Sequence, residues 1–529
     1  MAEALGWLLA RYLDAAQTAA QPEYHHIGNT PGITSTNNGS RVQEGQDVQD
    51  PDAVAATELL ARQARILIKL HEAVERDAGP ATKHGVDEEL LKKRIADLAS
   101  LSTSKFYSYR YDRLPAIWRQ IYADSLILET YHLLLRPLQA VTSLPESVLD
   151  VVVEKLDRAL ITAGGGGRRP WLEKTMEMLE KIWISTSIYH EKEREDEERP
   201  SKRQRTHSRF DREFSAEEPF GRPSLSSKWA CPRYSGWTMD QFEVYMNSNE
   251  GAPWPIVFTD LMSEWPALTD CPWKSPDYLL SKTLGGRRLV PVEIGRSYVD
   301  EGWGQELIQF RELLTRYVGI PIPETPPSTT QEDAVSPPPA SSSSPTGYLA
   351  QHNLFQQIPS LRNDIHTPDF CWTNVPGHPL SPSHNQPPVD VPQLNAWFGP
   401  ARTITPLHTD GYHNLLCQAV GAKYLRLYPP SATKHMRRRS PEHGVDMSNT
   451  SALDVGVLEG WDERPEGTSE EDVERMRAAL EGVEYRECIL EPGDTLVIPI
   501  GWWHYVRSLS VSFSVSFWWN QGDAQLSSE

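Results

Sequence analysis

Cysteine is scarce in this chain, which carries five in 529 residues. The five are scattered, and no two of them are spaced as a Cys-x-x-Cys pair. This argues against a disulfide framework and against a zinc ribbon, because each needs cysteines in matched pairs. We therefore expect a protein of a reducing, intracellular compartment. The residues are Cys231, Cys271, Cys371, Cys417 and Cys488.

Positive charge is also under-represented. Lysine and arginine total 52 against 72 aspartates and glutamates, which gives a net charge of −20 and an isoelectric point near 5.3. Binding along a nucleic-acid backbone depends on a basic surface, so we expect no direct nucleic-acid binding. A basic peptide is a more natural partner through long-range attraction, and ordinary acidic solubility explains the charge equally well.

Long apolar runs are missing as well. No stretch reaches the apolar length that a bilayer-spanning helix needs, so we expect a soluble protein without membrane contact. The opening stretch "MAEALGWLLARYLDAAQ" has no basic region followed by a long apolar one. This pattern predicts that the chain carries no signal peptide.

The first 192 residues are predicted to form a helical domain. Four segments repeat apolar residues at helical spacing, and "GGGG" after the third is a strong stop signal. No clean repeat period is found, which leaves a bundle and an array of helical hairpins open. The polar segment 24–52 is predicted to be a flexible loop. The four helical segments are 56–74, 114–135, 145–163 and 170–192.

Residues 193–228 are rich in charge and are predicted to be a flexible linker. The sequence "KRQR" at 202–205 has the composition of a nuclear localisation signal, and a solvated linker explains it as well. The favoured location is therefore the nucleus, with the cytoplasm as the alternative.

Residues 229–522 change in character and are predicted to form a second, β-rich domain. Short apolar runs such as "RLVPVEIG", "KYLRLYPP" and "VSFSVSFWW" lie between turn residues, as in a β-sandwich or barrel. The whole chain is therefore predicted to be α+β. The Pro/Ser-rich stretch 321–347 is predicted to be a disordered insertion. A basic loop (434–439) and an acidic, partly helical insertion (452–485) separate two core strands.

A candidate metal site is the most informative feature of this domain. In "TPLHTDGYHNLL", His408 and Asp410 are two residues apart, so in an extended segment they point to the same side. His504 follows a Gly-Asp turn and a strand. Next comes a strand that alternates serine with apolar residues, as expected where a barrel interior holds a polar ligand. Two histidines and one carboxylate leave positions open on an octahedral metal, which suits non-haem Fe(II), whereas zinc is more often closed by a fourth ligand.

Two long stretches carry a family resemblance: "NAWFGPARTITPLHTDGYHNLLCQAVGAKYLRLYPP" and "GDTLVIPIGWWHYVRSLSVSFSVSFWW" resemble the Jumonji-C oxygenases. "GYLAQHNLFQQIPSLRNDI" and "VPVEIGRSYVDEGWGQ" are similar to the lysine demethylase 8 branch, also described as peptidyl-arginine hydroxylases. The resemblance covers roughly 229–521. It implies a double-stranded β-helix (jelly-roll, cupin) core that uses Fe(II), 2-oxoglutarate and O₂. Members of this branch also carry a helical N-terminal domain.

The resemblance implies roles for individual residues. His408, Asp410 and His504 match the iron ligands and so the catalytic centre, and Lys423 matches the lysine that pairs with the distal carboxylate of 2-oxoglutarate. Without the family, Lys423 would be taken for a surface residue of a turn. Further co-substrate contacts are matched by Tyr348, Trp397, Thr405 and Asn414.

The resemblance implies a protein or peptide substrate, whose side chain would contact a glutamate and aromatic residues. A guanidinium needs a carboxylate acceptor and a flat aromatic wall, whereas methyl-lysine favours an aromatic cage, so a glutamate favours arginine hydroxylation. Demethylation of a histone methyl-lysine is the alternative; a catalytically inactive cupin scaffold and a zinc or manganese cupin isomerase are further ones. The oligomeric state is left open. The matching residues are Glu293, Tyr298, Trp303 and Gln351.

Overall fold

The structure is a computed structural model. It describes residues 2–21, 50–76, 87–110, 113–137, 144–197, 210–248, 253–299, 302–322, 346–442, 445–464 and 468–520. The predicted loop 24–52 and the predicted insertion 321–347 therefore lie almost wholly outside the described residues, as does the basic sequence 202–205. Among the described residues, no helix combines the length and apolar character needed to cross a membrane.

Six helices are found among the described residues of the first part of the chain, and α4 packs against α1, α2, α3 and α5. Asp50 and Asp87 cap the second and third helices by accepting backbone N–H bonds, and Gly164 ends the fifth in a left-handed conformation (φ 62°). Each predicted helical segment lies within or close to one helix, whereas α1 and α3 were not predicted. The bounds are α1 Ala2–Ala19, α2 Pro51–Glu75, α3 Glu88–Ser108, α4 Ala116–Leu135, α5 Glu146–Ala163 and α6 Arg169–Glu197.

The structure differs from the predicted flexible linker 193–228 at both of its ends. Helix α6 continues to Glu197. From residue 210 the chain packs on the second domain, where Phe214 is 7% exposed and Arg212 pairs with Asp277. The burial of the Phe214 ring and the partly exposed ion pair of Arg212 explain the difference, because a charge-rich composition indicates neither contact.

In the described residues of the second part of the chain, thirteen strands form two sheets. The larger has the order β1-β2-β11-β8-β13-β6-β5-β3-β4, and the smaller has the order β10-β9-β12-β7. Only β1 and β2 pair in parallel among the described ladders. The bounds are β1 Arg233–Tyr234, β2 Ile256–Phe258, β3 Leu289–Ile294, β4 Gly304–Gln309, β5 Gly347–His352, β6 Gln393–Gly399, β7 Ile404–His408, β8 His413–Val420, β9 Lys423–Tyr428, β10 Arg486–Leu490, β11 Thr495–Ile498, β12 Trp503–Ser508 and β13 Ser512–Trp519.

The two sheets enclose a shared apolar core. One buried cluster joins Leu416 and Leu496 of the larger sheet to Leu425 and Val506 of the smaller one. A second cluster packs the outer face of the larger sheet against short helices that lie between β1 and β6 in the chain, with Phe513, Val515 and Phe517 of β13 at 0% exposure. Helices therefore accompany an antiparallel double sheet, and the predicted α+β class is confirmed.

Shorter helices fill the connections. Those before the metal motif pack on the larger sheet, whereas α12 and α13 belong to the predicted acidic insertion 452–485. The bounds are α7 Met239–Asn247, α8 Pro276–Lys282, α9 Phe310–Glu312 with a π-turn at Leu313–Val318, α10 Leu354–Gln357, α11 Pro359–Arg362, α12 Val455–Leu458 and α13 Glu470–Leu480.

Candidate metal and co-substrate site

Strand pairing brings the two predicted metal-binding histidines together. His408 is the last residue of β7, and His504 of the neighbouring antiparallel β12 lies directly opposite it. Their ring centroids are 4.1 Å apart. Asp410 follows in the loop after β7, with its two oxygens each 3.6 Å from one histidine Nε2. One ligand atom from each of the three residues lies within 4.8 Å of the others, a spacing at which one metal ion can contact all three.

The hydrogen bonds of both histidines leave Nε2 available to bind a metal. Nδ1 of His408 lies 2.8 Å from the carbonyl oxygen of Pro406, and Nδ1 of His504 lies 3.0 Å from that of Trp502. A carbonyl only accepts, so each Nδ1 carries the proton and each Nε2 keeps its lone pair. A metal-binding histidine is held in this way, with the second ring nitrogen bonded to a backbone carbonyl.

The electrostatics of this cluster also fit a cation. Burial raises the pKa of Asp410, although the nearby His408 lowers it in part. Burial and the neighbouring His408 lower the pKa of His504 well below its usual value, against a small raising effect of the Trp502 carbonyl. A buried carboxylate is costly to keep charged, and a divalent cation offsets that cost. Two nitrogens and one oxygen with room beside them suit Fe(II).

A pocket opens beside the three residues and continues between the two sheets. All five residues predicted to contact the co-substrate line it, together with apolar side chains that the sequence did not indicate. The lining residues are Tyr348, Trp397, Thr405, His408, Asp410, Asn414, Leu416, Lys423, Ile498, His504 and Val506.

Lys423 lies in this pocket as a buried cation. It is the first residue of β9 and is 1% exposed, so it is not the surface residue that its turn-like sequence suggests. Its Nζ donates to the hydroxyl of Tyr348 at 3.2 Å, and no carboxylate of the described residues lies within ion-pair distance of it. Burial lowers the pKa of Lys423 to about 7. A ligand carboxylate would supply the missing counter-charge.

Two other polar groups complete the pocket. Asn414 is 4% exposed, and its side-chain oxygen is buried without a hydrogen-bond partner among the described residues. Its amide can take either orientation, so it can meet a ligand acceptor or donor. Trp397 donates from Nε1 to Ser516 at 2.9 Å, and its ring lies 6.1 Å from that of Tyr348. The residues present therefore fit a small dicarboxylate held beside a metal.

Three of the four predicted substrate residues lie next to this pocket. Glu293 on β3 is directly opposite Tyr348 on β5. Burial raises the pKa of Glu293, and a hydrogen bond with Trp303 lowers it in part. Burial raises the pKa of Tyr298 to about 12, its hydrogen bond to Thr450 opposes this, and the nearby charges of Asp410 and Glu293 add to the increase. Tyr298 thus lies near both the glutamate and the metal cluster.

A comparison with protein families gives this site its context. A family model described as a cupin-like domain matches residues 241–525, more than half of the chain. The chain belongs to the cupin-like Jumonji-C family. The predicted family and its cupin-type core are therefore confirmed.

Several Jumonji-C relatives are similar to part of the chain. The Danio rerio protein named lysine-specific demethylase 8 is 36% identical over 315 residues, which cover 58% of this chain and 64% of its own. The Arabidopsis thaliana lysine-specific demethylase JMJ30 is 41% identical over 266 residues, half of each chain. The human bifunctional peptidase and (3S)-lysyl hydroxylase JMJD7 is 26% identical over 135 residues, 24% of this chain and 41% of its own. The chain thus spans between half and two thirds of the first two relatives.

Gln351 is the predicted site residue that the structure does not bring into contact with the others. It is exposed at an irregular point of β5 in the Jumonji-C domain and has a left-handed backbone (φ 47°). A glutamine seldom adopts that conformation, so the strand is bent at this point.

Sequence reasoning missed Thr450, which lies beside the Jumonji-C metal cluster. Its backbone forms a bridge with His408, and its hydroxyl lies 3.3 Å from that of Tyr298. Thr450 belongs to the long connection between β9 and β10, and no motif marks it there. Only the three-dimensional structure identifies it as part of the site.

Proposed function

We propose that this chain is an Fe(II)- and 2-oxoglutarate-dependent protein oxygenase that hydroxylates arginine side chains. The supporting observation is a half-buried carboxylate, that of Glu293, beside Trp303 and Tyr298 and next to the His-Asp-His cluster. The family and the names of its relatives support oxygenase chemistry on proteins. The choice of arginine comes from the chemistry of the pocket in this chain.

His408, Asp410 and His504 would hold the iron, because their free nitrogen and oxygen atoms converge. Lys423, Tyr348 and Thr405 would hold the distal carboxylate of 2-oxoglutarate, and Asn414 and Trp397 would complete its pocket. When bound, Fe(II) with 2-oxoglutarate and O₂ supplies an oxidant for an unactivated C–H bond. The protein's own part is to orient the ligands, offset the buried charge and keep the target carbon in register.

Glu293 supports a guanidinium substrate. Burial raises its pKa, so the charged carboxylate is disfavoured until a cation joins it. Arginine forms two parallel hydrogen bonds with a carboxylate and stacks its flat face on an aromatic ring. Trp303, 36% exposed, and Tyr298 offer such rings beside Glu293. A basic segment is also attracted to a protein of net charge −20.

Methyl-lysine demethylation is the second candidate. Two relatives carry the name lysine-specific demethylase, and an aromatic pair also suits a methylated ammonium. Both reactions begin with oxidation of a C–H bond, so the metal and co-substrate residues do not discriminate between them. Glu293 does discriminate between the two reactions, because an aromatic cage for methyl-lysine has less need of a carboxylate.

The test offers matched arginine and methyl-lysine peptides to the full chain with Fe(II), 2-oxoglutarate and O₂. We expect one oxygen atom to be added to arginine, with succinate formed in equal amount. Glu293→Gln should lose at least about tenfold in kcat/KM for the peptide, as expected when a buried charged hydrogen bond is removed, and retain metal binding. The control is Glu306→Gln, an exposed carboxylate on the adjacent strand β4. Loss of methyl groups as formaldehyde, without arginine hydroxylation, would show that the second candidate is correct.

We also propose a nuclear location, based on the basic sequence 202–205, which lies outside the described residues. Replacing Lys202, Arg203 and Arg205 with alanine should move a fluorescent fusion out of the nucleus. A fusion that stays in the nucleus after this change would remove the basis for this assignment.

A further inference from the structure

The connection between β9 and β10, residues 429–485, contacts the metal strand and the candidate substrate residues. The backbone N–H of Thr409 donates to Asn449 at 2.9 Å, and that of Ser451 donates to Leu407 at 2.8 Å. Thr450 then meets the hydroxyl of Tyr298. The connection is therefore attached along the end of β7, beside the metal cluster, before it continues into α12.

Asp462, beyond α12 in the same connection, is the centre of a buried charge cluster. Its side chain is 1% exposed and receives three guanidinium groups from three different segments. Arg507 of β12 donates at 2.7 Å, Arg296 at 3.0 Å and Arg402 at 3.3 Å. One carboxylate thereby joins the strand of His504, the turn before β7 and the segment that follows β3.

Arg296 lies inside the segment that carries the candidate substrate residues. This recognition segment, residues 293–299, runs from Glu293 at the end of β3 to just beyond Tyr298. Arg296 also donates to Asp454 at 2.7 Å, and Asp454 caps α12 with its other oxygen, which accepts from Val457. The recognition segment is therefore held at two points by the β9–β10 connection, through Arg296 and through Tyr298.

The surroundings of Asp462 are adapted to this contact. A Cβ added at Gly456 would lie 2.1 Å from Asp462 Oδ2, so a glycine is required for the carboxylate to occupy this position. Burial alone would raise the pKa of Asp462, but the hydrogen bond from Arg507 and the charges of Arg507, Arg296 and Arg402 hold it below its usual value. The carboxylate is thus charged and fully engaged at neutral pH.

We propose that Asp462 is a positioning residue for substrate recognition: it holds Arg296 against Arg507 and so fixes the recognition segment relative to the strand of His504. This proposal rests on the proposed substrate role of Glu293 and Tyr298. Asp462 acts through Arg296. The distance between the substrate side chain and the metal then depends on this cluster of ion pairs, which lies behind the recognition segment.

The consequence of losing the cluster is a misplaced target. A displacement of about 1 Å in an active site is enough to lower a rate by roughly a hundredfold, because the reacting atoms lose their alignment. The metal residues and Lys423 lie on or beside β7, β9 and β12, which pair within the smaller sheet, and Asn414 lies on β8, which pairs with β11 and β13 in the larger sheet. Asp462 belongs to none of these strands. Loss of the ion-pair cluster should therefore lower peptide turnover and leave the co-substrate pocket intact.

The test uses the full chain in two variants, Asp462→Asn and Arg296→Met. Both should raise the peptide KM at least about tenfold and increase the 2-oxoglutarate consumed per hydroxylated peptide. The Kd for 2-oxoglutarate in the Mn(II)-loaded protein should stay within about twofold of the unmodified chain. Hydrogen exchange of a fragment covering 293–299 should become faster in both. The control is Glu470→Gln, an exposed carboxylate of the same connection that pairs with Arg464 at the surface.

The double variant decides whether Asp462 acts through Arg296. If it does, adding Asp462→Asn to Arg296→Met raises KM no further, because the two residues act as one unit. Unchanged exchange and unchanged KM in Arg296→Met would overturn the proposal. Should Asp462→Asn fail to fold, Arg296→Met alone decides, since its side chain is partly exposed. Failure of the unmodified chain to turn over any arginine peptide would refute the proposed function, and the exchange rates would still test the role of Asp462.

Discussion

At the scale of the residue, the hydrogen bonds of two buried histidines show which of the two can bind a metal. His413 and His504 both lie in buried strands. His413 uses both ring nitrogens, since Nε2 donates to the carbonyl of Pro376 and Nδ1 accepts from the amide of Ile500. Burial lowers its pKa to about 4, so it remains neutral and has no lone pair to offer. His504 has only Nδ1 engaged, which leaves Nε2 for a metal.

Lys423 leads to a prediction about pH. Burial lowers its pKa to about 7. A carboxylate ligand favours the charged lysine and raises that pKa, so above pH 7 binding must take up a proton. The affinity for 2-oxoglutarate should therefore fall by up to about tenfold per pH unit above about pH 7. Titration of the Mn(II)-loaded protein between pH 7 and pH 9 measures this slope.

The matched variant for this prediction is Lys423→Met, which keeps an unbranched side chain of similar length and removes the charge. We expect weak binding of 2-oxoglutarate that no longer depends on pH in the same interval. An affinity of the unmodified chain that is flat across the interval would show that Lys423 does not carry the counter-charge.

At the scale of the element, the β8–β9 turn sets the position of Lys423. Gly421 in this turn has φ 66°, and a Cβ there would lie 1.8 Å from the carbonyl oxygen of Val511. Gly421→Ala should therefore destabilise the fold by more than about 2 kcal/mol, since it adds a backbone clash to the cost of a left-handed conformation. Urea unfolding measures the change.

Gly482 provides the comparison for this turn. It has a similar backbone (φ 74°) but nothing within 4 Å of an added Cβ. Gly482→Ala should cost only about 1 kcal/mol, the penalty of the left-handed conformation alone. If the two variants lose the same stability, the clash with Val511 is not a determinant of the turn.

Strand β13 shows where sequence reasoning at this scale succeeds and where it fails. The alternation of serine with apolar residues correctly predicts a strand, and the structure buries both of its faces. The serine face was expected to meet a polar ligand, but Ser514 donates to Gln418 at 2.7 Å, and Ser512 accepts from the same side chain at 2.9 Å. Ser516 accepts from Trp397. Periodicity predicts which side of a strand a residue is on, whereas its partner belongs to another strand and depends on register.

The same limit applies to the site as a whole. His408, Asp410 and His504 could be proposed from local patterns, because each lies at or near a strand end with a recognisable sequence. Thr450 and Asp462 could not be proposed, since they belong to a connection without a motif and make contacts with segments more than 40 residues away. Long-range pairs of this kind become visible only when the strands are assembled.

At the scale of the whole molecule, the helical domain is joined to the Jumonji-C domain by charge. Asp157 of α5 is 0% exposed and binds Arg288 through two hydrogen bonds from Nε and Nη2, at 2.9 and 2.8 Å. It also accepts from the amide of Leu289 on β3 and from Gln357. About two and three turns before it on the same helix, Asp150 and Glu146 pair with Arg287. Helix α5 therefore supports β3, the strand that carries Glu293.

This interface gives the strongest stability prediction. Asp157→Ala would leave Arg288, 5% exposed, buried without its main counter-charge, and should lower the free energy of unfolding by about 3–5 kcal/mol. The control is Glu154→Ala on the same helix, whose pair with Arg158 is 40% exposed at both side chains and contributes at most about 1 kcal/mol. Tryptophan fluorescence during urea unfolding reports both domains, because Trp118 and Trp171 lie in the helical one and Trp502 in the other.

The combination of Asp157→Leu with Arg288→Met separates charge from packing at the same interface. Removing both charges should recover part of the stability that Asp157→Ala loses, because an apolar pair leaves no buried ion unpaired. The single change should also separate unfolding into two transitions, since β3 is held to α5 through this carboxylate. One transition with an unchanged midpoint in Asp157→Ala would mean that the helical domain is held to β3 by other contacts.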